Sequence, residues 1–284
     1  MSQSKPSWGT AAWFGERYVN EGTSRPTAYF AYKSNGYQMF RHFRLIKILR
    51  ESSDLFFKSS RLVDIGCATG YLSNKIGKEI NVKNITAIDF SPELLEEGRK
   101  SFPEIDFKEG CLPNIPLDNN KTDIVSLVEV LYYIEKEKRL DALLECRRLL
   151  KDDGVFIFTA NVSGEPYLTL NEIDSLFSDA SFHIKKKYLE HYWLPIYAEG
   201  FFLRTYRLSN LILFPDISID SGLARAEKYA RYLRNPLGRF FAKVGLIIST
   251  KLISSRTLMS SLAVINRFFQ VGGVTHAIFI TVKK

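Results

Sequence analysis

Cysteine is scarce in this chain of 284 residues. Its three cysteines, Cys67, Cys111 and Cys146, are far apart, form no Cys-x-x-Cys pair and have no histidine cluster nearby in the sequence. This pattern excludes the usual zinc motifs and a disulfide framework. We therefore expect a reducing compartment and no metal site.

Long apolar runs are also lacking. No stretch reaches the roughly 18 uninterrupted apolar residues of a membrane-spanning helix. The first residues, MSQSKPSWGTAAWFGERYV, lack the basic segment, apolar run and small-residue cleavage site of a secretory signal. We expect a cytoplasmic protein, and its hydrophobic content of 45% predicts a packed core rather than a disordered chain.

Acidic residues are few in one late part of the chain. Residues 195–272 contain eleven Lys/Arg against four Asp/Glu, so they carry most of the formal net charge of +8. Apolar helical patterns such as FFLRTYRLSNLILF occur in the same segment. Six basic side chains there are available to anionic headgroups or to a phosphate on an acceptor: Arg204, Arg207, Arg239, Lys243, Lys251 and Arg256.

What is present from residue 61 onward is an alternation of strand-like and helical patterns. The strand-like runs are RLVDIG, ITAIDF, IDFKEG, TDIVSLVEV, GVFIFTANV, FHIKKKYLEHYWL and THAIFITVKK. Because most of them are apolar throughout, they predict a parallel sheet covered by helices on both faces. Lys151-Asp152-Asp153-Gly154 is predicted to close a helix and turn into the next strand.

The stretch RLVDIGCATGYLSNKIG, residues 61–77, is a strand, a glycine-containing turn and the start of a helix. Such a turn presents backbone N–H groups and a helix N-terminus at the carboxyl end of a sheet, where ligands of open α/β sheets bind. Its spacing is G-x-A-x-G, a poor fit to the G-x-G-x-x-G of dinucleotide folds. Asp89 ends the next strand, where a carboxylate can accept hydrogen bonds from both hydroxyls of a ribose.

These residues resemble the class I S-adenosylmethionine-dependent methyltransferases over roughly residues 61–190 and the final strand. The resemblance implies an α/β, Rossmann-like fold: a seven-stranded, mostly parallel sheet with helices on both faces and a helical insertion before the last strand. It implies S-adenosyl-L-methionine as cofactor and S-adenosyl-L-homocysteine as product. DIGCATG matches the family's first motif, with Ala68 where the middle glycine usually stands.

The same resemblance implies a role for each residue of the cofactor site. Asp64 lies near the methionine amino group, and Asp89 binds the ribose. Cys111 stands where an aspartate often contacts the adenine, which leaves Phe90 and the backbone N–H of Leu112 as the expected adenine contacts. Gly66, Ala68 and Gly70 would allow close approach of the cofactor, and Cys67 between them is a further expected cofactor-binding residue.

The acceptor side follows the fourth strand, at EVLYYIE. This string resembles the nodulation-type N-methyltransferases, which methylate an amine on a glucosamine oligosaccharide. Glu129 can orient or deprotonate a hydroxyl or an ammonium group and also borders the cofactor, and Tyr132 and Tyr133 can line the acceptor pocket. The alternative is structural: Glu129 caps the next helix and the tyrosines pack against it.

Histidines elsewhere are further candidates for a general base. His191, at the start of the insertion, is the third candidate catalytic residue beside Glu129 and Tyr133, and His42 lies on the helix before the sheet. His183 and His276 are set in strand patterns and are expected to be structural. Three tyrosines of the leading segment could close over the site: Tyr18, Tyr29 and Tyr37.

The predicted organisation has three parts. Residues 1–60 form an N-terminal helical lid, residues 61–194 and 273–284 form the cofactor-binding core, and residues 195–272 form the basic insertion, with Pro195, Pro215 and Pro236 as breaks. The insertion is expected to contact an anionic membrane on its cytoplasmic face or a lipid-linked substrate, to cap the acceptor pocket or form a homodimer, or to bind nucleic acid.

The expected function is methyl transfer to an oxygen or nitrogen of a small-molecule, sugar, glycan or lipid-linked acceptor. An RNA methyltransferase is the first alternative. No (Asp/Asn/Ser)-Pro-Pro-(Tyr/Phe) string follows the fourth strand, which disfavours methylation of a flipped base. A non-catalytic protein that binds S-adenosylmethionine as a regulator or scaffold is the second.

Overall fold

Seven strands form one sheet in the computed structural model, which describes residues 13–14, 34–56, 60–214, 230–269 and 272–283. In the described residues the strand order is β3-β2-β1-β4-β5-β7-β6. The strands are β1 (Arg61–Ile65), β2 (Asn84–Asp89), β3 (Asp106–Glu109), β4 (Thr122–Val128), β5 (Leu150–Asn161), β6 (Phe182–Glu190) and β7 (His276–Lys283).

Strands β1 to β5 pair in parallel, and β7 runs antiparallel to both β5 and β6. The predicted seven-stranded, mostly parallel sheet is therefore confirmed. Because β7 is reversed, its first residue lies at the edge where the other strands end. There His276 pairs with Asn161 of β5 and with Glu190 of β6.

Helices pack on both faces of the sheet, because neighbouring residues of each central strand point to opposite sides. Leu62 of β1 belongs to the hydrophobic cluster on one face, and Val63 belongs to the cluster on the other. Both faces of the central strands are covered by helices, so most side chains of these strands are apolar and buried. The helices that precede the insertion are α1 (Gly36–Arg50), α2 (Tyr71–Glu79), α3 (Pro92–Ser101), α4 (Arg139–Leu149) and α5 (Leu170–Asp179).

Side chains of α1, α2 and α3 enter one cluster, and side chains of α4 and α5 enter the other. Local signals begin several of these helices. Thr169 caps α5 by accepting a hydrogen bond from the backbone N–H of Glu172 at 3.2 Å. Pro92 occupies the first turn of α3, where its missing N–H costs nothing.

Two local predictions are wrong. Lys151–Gly154 does not precede the fifth strand: β5 begins at Leu150, and these four residues bulge between the pairs Thr122–Leu150 and Ile124–Val155. Pro195 does not break a helix either. It lies in the first turn of a long helix, where proline is tolerated.

Three helices lie between β6 and β7: α6 (Trp193–Leu213), α7 (Pro236–Ile253) and α8 (Arg256–Phe269). Helix α7 starts at a capping Asn235, whose side chain accepts from the N–H of Gly238 at 2.8 Å. Helices α6 and α7 approach closely, since a Cβ atom on Gly245 would lie 2.9 Å from Ser209 Oγ. No helix in the described part of the chain is both long and apolar enough to cross a bilayer.

The chain divides into two compact units. Unit 1 comprises residues 1–21, 42–191 and 272–284, and unit 2 comprises residues 22–41 and 192–271. Unit 1 contains the whole sheet, and unit 2 contains the helices of the insertion. Within unit 2, Tyr37 and Phe40 pack with Tyr192 and Met259. The predicted three-part organisation, with a lid over residues 1–60, stays a prediction.

Candidate cofactor and acceptor site

The turn after β1 requires its glycines. Gly66 and Gly70 have φ angles of +74° and +71°, in the left-handed region that glycine enters without steric cost. A Cβ atom on Gly66 would collide with Val130, and one on Gly70 would come within 2.5 Å of the Phe107 ring. The N–H groups of Gly66 and Cys67 both donate to the Ile88 carbonyl, at 2.8 and 3.0 Å, which ties the turn to β2.

Asp89, at the carboxyl end of β2, is joined to the same turn. Its Oδ2 accepts from the N–H of Ala68 at 2.8 Å, and its Oδ1 accepts from the N–H of Ser91 at 3.0 Å. Burial raises the pKa of Asp89, although these N–H donors act in the opposite direction. An ionised carboxylate offers about four acceptor sites, so these contacts leave room for a further donor such as a ribose hydroxyl.

Asp64 has a different environment inside the sheet. Its two oxygens accept hydrogen bonds from Ser73 Oγ at 2.5 Å and from Ser126 Oγ at 2.6 Å. Burial raises the pKa of Asp64 to about 6, because removal from water outweighs the two hydroxyl donors. These bonds tie β1 to α2 and β4, and the predicted contact with a methionine amino group stays a prediction.

Aromatic rings lie beside Asp89. The Phe14 ring is buried and meets Phe90 and Tyr133 edge-on, with centroid distances of 5.7 and 5.2 Å. Sequence reasoning missed Phe14. The leading segment is rich in aromatic residues, but it has no periodicity that singles out position 14. Leu112, the other expected adenine contact, is buried next to Cys111, which pairs with Asn114 in an isolated bridge.

Glu129 directly follows β4 and has an unusual backbone conformation, with a φ of +59°. Few residues other than glycine occupy this region, and those that do cluster at functional sites. Its Oε1 accepts from Thr159 Oγ1 at 2.9 Å, and its Oε2 accepts from the Tyr132 hydroxyl at 3.0 Å. The carboxylate is thus held by β5 on one side and by the short helical turn Leu131–Tyr133 on the other.

His276 lies next to this carboxylate. Its Nε2 is 3.9 Å from Glu129 Oε2, and both side chains are largely buried. The sequence interpretation kept His276 as a structural strand residue. The signal that would have found it is the direction of the last strand, because only an antiparallel β7 places its first residue at the ligand edge.

The other two histidines that were candidates for a general base, His191 and His42, have different neighbours. His191 directly follows Glu190, whose Oε1 is 2.8 Å from Arg44 Nε. Among the described residues, the buried Nδ1 of His191 has no hydrogen-bond partner. His42 lies near Tyr71, with a ring-centroid distance of 6.0 Å.

Of the three candidate tyrosines of the leading segment, Tyr37 alone belongs to the described residues. Tyr18 and Tyr29 fall outside the described residues. Tyr37 packs against Tyr192 in unit 2, with a centroid distance of 6.1 Å. Among the described residues of the leading segment, Phe14 lies beside Phe90 and Tyr133.

The fold and this site define a Rossmann-like α/β domain of the class I methyltransferase type. Residues 62–154 match the family model described as a methyltransferase domain. The match contains the glycine turn, Asp89 and Glu129. Residues 62–154 therefore carry a methyltransferase domain, as the motifs predicted.

Known proteins are similar over parts of the chain. The ubiquinone/menaquinone biosynthesis C-methyltransferase UbiE of Campylobacter jejuni strain 81-176 is 31% identical over 106 residues, covering 35% of this chain and 44% of the relative. A ubiquinone biosynthesis O-methyltransferase of Actinobacillus pleuropneumoniae serotype 7 is 30% identical over 125 residues, covering 41% and 51%. The chain thus spans about half or less of the length of these curated relatives.

Solved structures share the fold. A protein described as a sarcosine dimethylglycine methyltransferase from Galdieria sulphuraria aligns with a TM-score of 0.55 at 13% identity, over 87% of this chain and 86% of that one. The N-methyltransferase NodS of Bradyrhizobium japonicum aligns with a TM-score of 0.49 at 16% identity, over 56% and 82%. At 13% identity, the alignment with the G. sulphuraria protein bears on the fold and not on the acceptor.

Proposed function

We propose that this protein transfers a methyl group from S-adenosylmethionine to an oxygen or nitrogen atom of a small-molecule, glycan or lipid-linked acceptor. The observation that carries the proposal is the Glu129 carboxylate. It is fixed by two hydroxyl groups, has a strained backbone and lies at the same sheet edge as the glycine turn and Asp89. This geometry supports a proton-accepting role for Glu129 beside the turn proposed to bind the cofactor.

The residues around the glycine turn fit S-adenosylmethionine. Asp89 would hold the ribose hydroxyls, and the turn from Gly66 to Gly70 would accept close approach of the methionine end. Phe90 and Phe14 supply apolar faces for the adenine, at a position where aromatic packing is already present. Once bound, S-adenosylmethionine supplies a methyl carbon that is activated by the charge of its sulfonium sulfur.

On the acceptor side, Glu129 would orient a hydroxyl or ammonium group and take its proton. Methyl transfer is an in-line displacement, so correct placement of the nucleophile can supply much of the rate. Removal of a proton matters when the acceptor is protonated before attack. His276, 3.9 Å from Glu129, is positioned to share or pass on that proton.

The cofactor assignment predicts selective nucleotide binding. Calorimetry should show that the protein binds S-adenosylmethionine and S-adenosylhomocysteine but not NAD. Asp89→Asn should weaken binding about 100-fold, because two charge-assisted hydrogen bonds to the ribose become weaker or are lost. The matched control is Asp106→Asn, an exposed acid at the start of β3. Equal binding by Asp89→Asn, or a preference for NAD, would contradict the assignment.

The role of Glu129 predicts a loss of turnover rather than of cofactor affinity. Fractions of small molecules, glycans, lipids and RNA would first be tested for methyl transfer from labelled S-adenosylmethionine. With the acceptor found, Glu129→Gln should lower kcat about 100-fold or more, the usual contribution of a general base. Thr159→Val should have a smaller effect, because Tyr132 still holds the carboxylate.

The control for this second test is Glu104→Gln, an exposed acid in the loop before β3. An unchanged kcat with weaker S-adenosylmethionine binding would make Glu129 a cofactor ligand and remove its role as a base. Mass spectrometry of the product identifies the methylated atom. The C. jejuni relative is named a C-methyltransferase, and a product methylated on carbon would overturn the oxygen-or-nitrogen part of the proposal.

A further inference from the structure

Helix α7 presents its apolar side chains outward. Six large hydrophobic residues on it are exposed by between 37% and 67% of their area. They follow helical spacing along one face of the helix: Leu237, Phe240, Phe241, Val244, Ile247 and Ile248. Monomeric soluble domains seldom expose a continuous apolar stripe of this kind, and such stripes usually mark an interaction surface.

The opposite face of the same helix is already used. Ala242, Ser249 and Ile253 are buried, and Ala242 packs in a cluster with Leu211 and Ile212 of α6. The inner face of α7 contains the small residues Ala242, Gly245 and Ser249, which permit close packing in unit 2. The outer face consists of large apolar side chains. Packing among the described residues of unit 2 does not account for the six outward side chains.

Basic residues lie on the same helix as the apolar stripe. Helix α7 contains Arg239, Lys243 and Lys251 and no acidic residue. At 100° per residue, Lys251 continues the stripe at its C-terminal end, and Lys243 lies at its border. All three basic side chains are exposed. Unit 2 as a whole has fourteen Lys/Arg against four Asp/Glu, whereas unit 1 has twenty-five against twenty-seven.

We propose that the exposed face of α7 is a membrane-docking surface that inserts its apolar stripe at the interface of an anionic bilayer. Apolar side chains on one face with Lys and Arg at the border form the pattern of interfacial helices, whose affinity combines buried apolar area with attraction to anionic lipids. The long stems of Lys243 and Lys251 let their ammonium groups reach headgroups while the stripe enters the acyl boundary. The proposal is independent of the acceptor.

Other occupants fit less well. In a symmetric dimer through α7, the basic borders of two identical faces would meet, and the helix offers no acid to pair with them. A nucleic acid would contact the basic side chains, but its interface is polar and would leave the phenylalanines in water. An anionic bilayer provides partners for both the apolar stripe and the basic side chains.

The test measures co-sedimentation of the full chain with vesicles of phosphatidylcholine alone and of phosphatidylcholine mixed with phosphatidylglycerol. We expect binding to the anionic vesicles that weakens as salt is raised, since surface attraction is screened over a Debye length of ~8 Å at physiological ionic strength. The double substitution Phe240→Ser and Phe241→Ser should lower partitioning at least about tenfold. Lys243→Glu should lower it about fivefold or more.

Matched controls come from unit 1. Leu144→Ser removes an exposed leucine, and Lys83→Glu reverses the charge of an exposed lysine. Neither substitution should change vesicle binding. All these residues are exposed, so thermal melts should show that every variant folds. Absence of binding to anionic vesicles at low salt overturns the proposal. A dimer that Phe240→Ser dissociates, or RNA binding in place of vesicle binding, overturns it as well.

Discussion

At the scale of single residues, the carboxyl groups near the glycine turn have distinct surroundings. Asp64 is enclosed by two serine hydroxyls, Asp89 is held by backbone N–H groups, and Glu129 is held by a threonine and a tyrosine hydroxyl. The sequence alone placed all three near the cofactor. The hydrogen-bond partners of Asp64 also join β1 to α2 and β4, and its predicted contact with a methionine amino group stays a prediction.

Asp64 should make stability depend on pH. Burial raises its folded-state pKa to about 6, above the unfolded value of about 4. As pH falls from 7 to 4, the folded protein takes up a proton before the unfolded chain does, so this group adds stability on acidification. Relative to Asp64→Asn, the wild type should therefore gain up to about 3 kcal/mol in free energy of unfolding between pH 7 and pH 4.

Thermal or urea unfolding of the two proteins across that pH range measures this difference. The difference matters rather than the wild-type curve, because burial also raises the pKa of Asp89, which is present in both proteins. Asp106→Asn, an exposed change on the same sheet, should show no comparable trend. A stability difference that is flat from pH 7 to pH 4 would mean that Asp64 is not desolvated in the folded protein.

At the scale of elements, the sequence predicted most of what depends on neighbouring residues. The glycine turn after β1 was predicted, and the positive φ angles of Gly66 and Gly70 agree with it. Local chemistry also explains the capping of α5 by Thr169 and the start of α3 at Pro92. Strands buried on both faces were also predicted from the sequence, because each of them is a largely apolar run.

What the sequence could not provide were the features set by distant pairings. The bulge at Lys151–Gly154 exists because β5 pairs with β4 on both sides of it, whereas an Asp-Asp-Gly string alone reads as a turn. The direction of β7 likewise depends on its pairing with β5 and β6. That direction decides whether His276 is a strand residue far from the site or a neighbour of Glu129.

At the scale of the whole molecule, the basic insertion lies in sequence between β6 and β7, two strands that pair directly in the sheet. Strands β6 and β7 are neighbours although about eighty residues separate them in sequence. Their ends are already joined, since the N–H and hydroxyl of Thr275 both donate to the Glu190 carbonyl, at 3.0 and 3.1 Å. The hydrogen bonds that join β6 to β7 therefore involve no residue of α6, α7 or α8.

This arrangement predicts that unit 1 retains cofactor binding when the insertion is removed. Residues 192–271 would be replaced by a short Gly-Ser linker, together with Tyr37→Ser and Phe40→Ser, because these side chains pack against the removed residues. Calorimetry should give an S-adenosylmethionine affinity within about tenfold of the full chain, because Asp89 and the glycine turn keep all their described contacts. The same variant with Asp89→Asn should bind far more weakly. If the shortened protein folds, by circular dichroism and a cooperative melt, yet does not bind, then the insertion completes the cofactor site. In the expected case, the insertion serves the acceptor or the membrane, and the donor site belongs to the sheet alone.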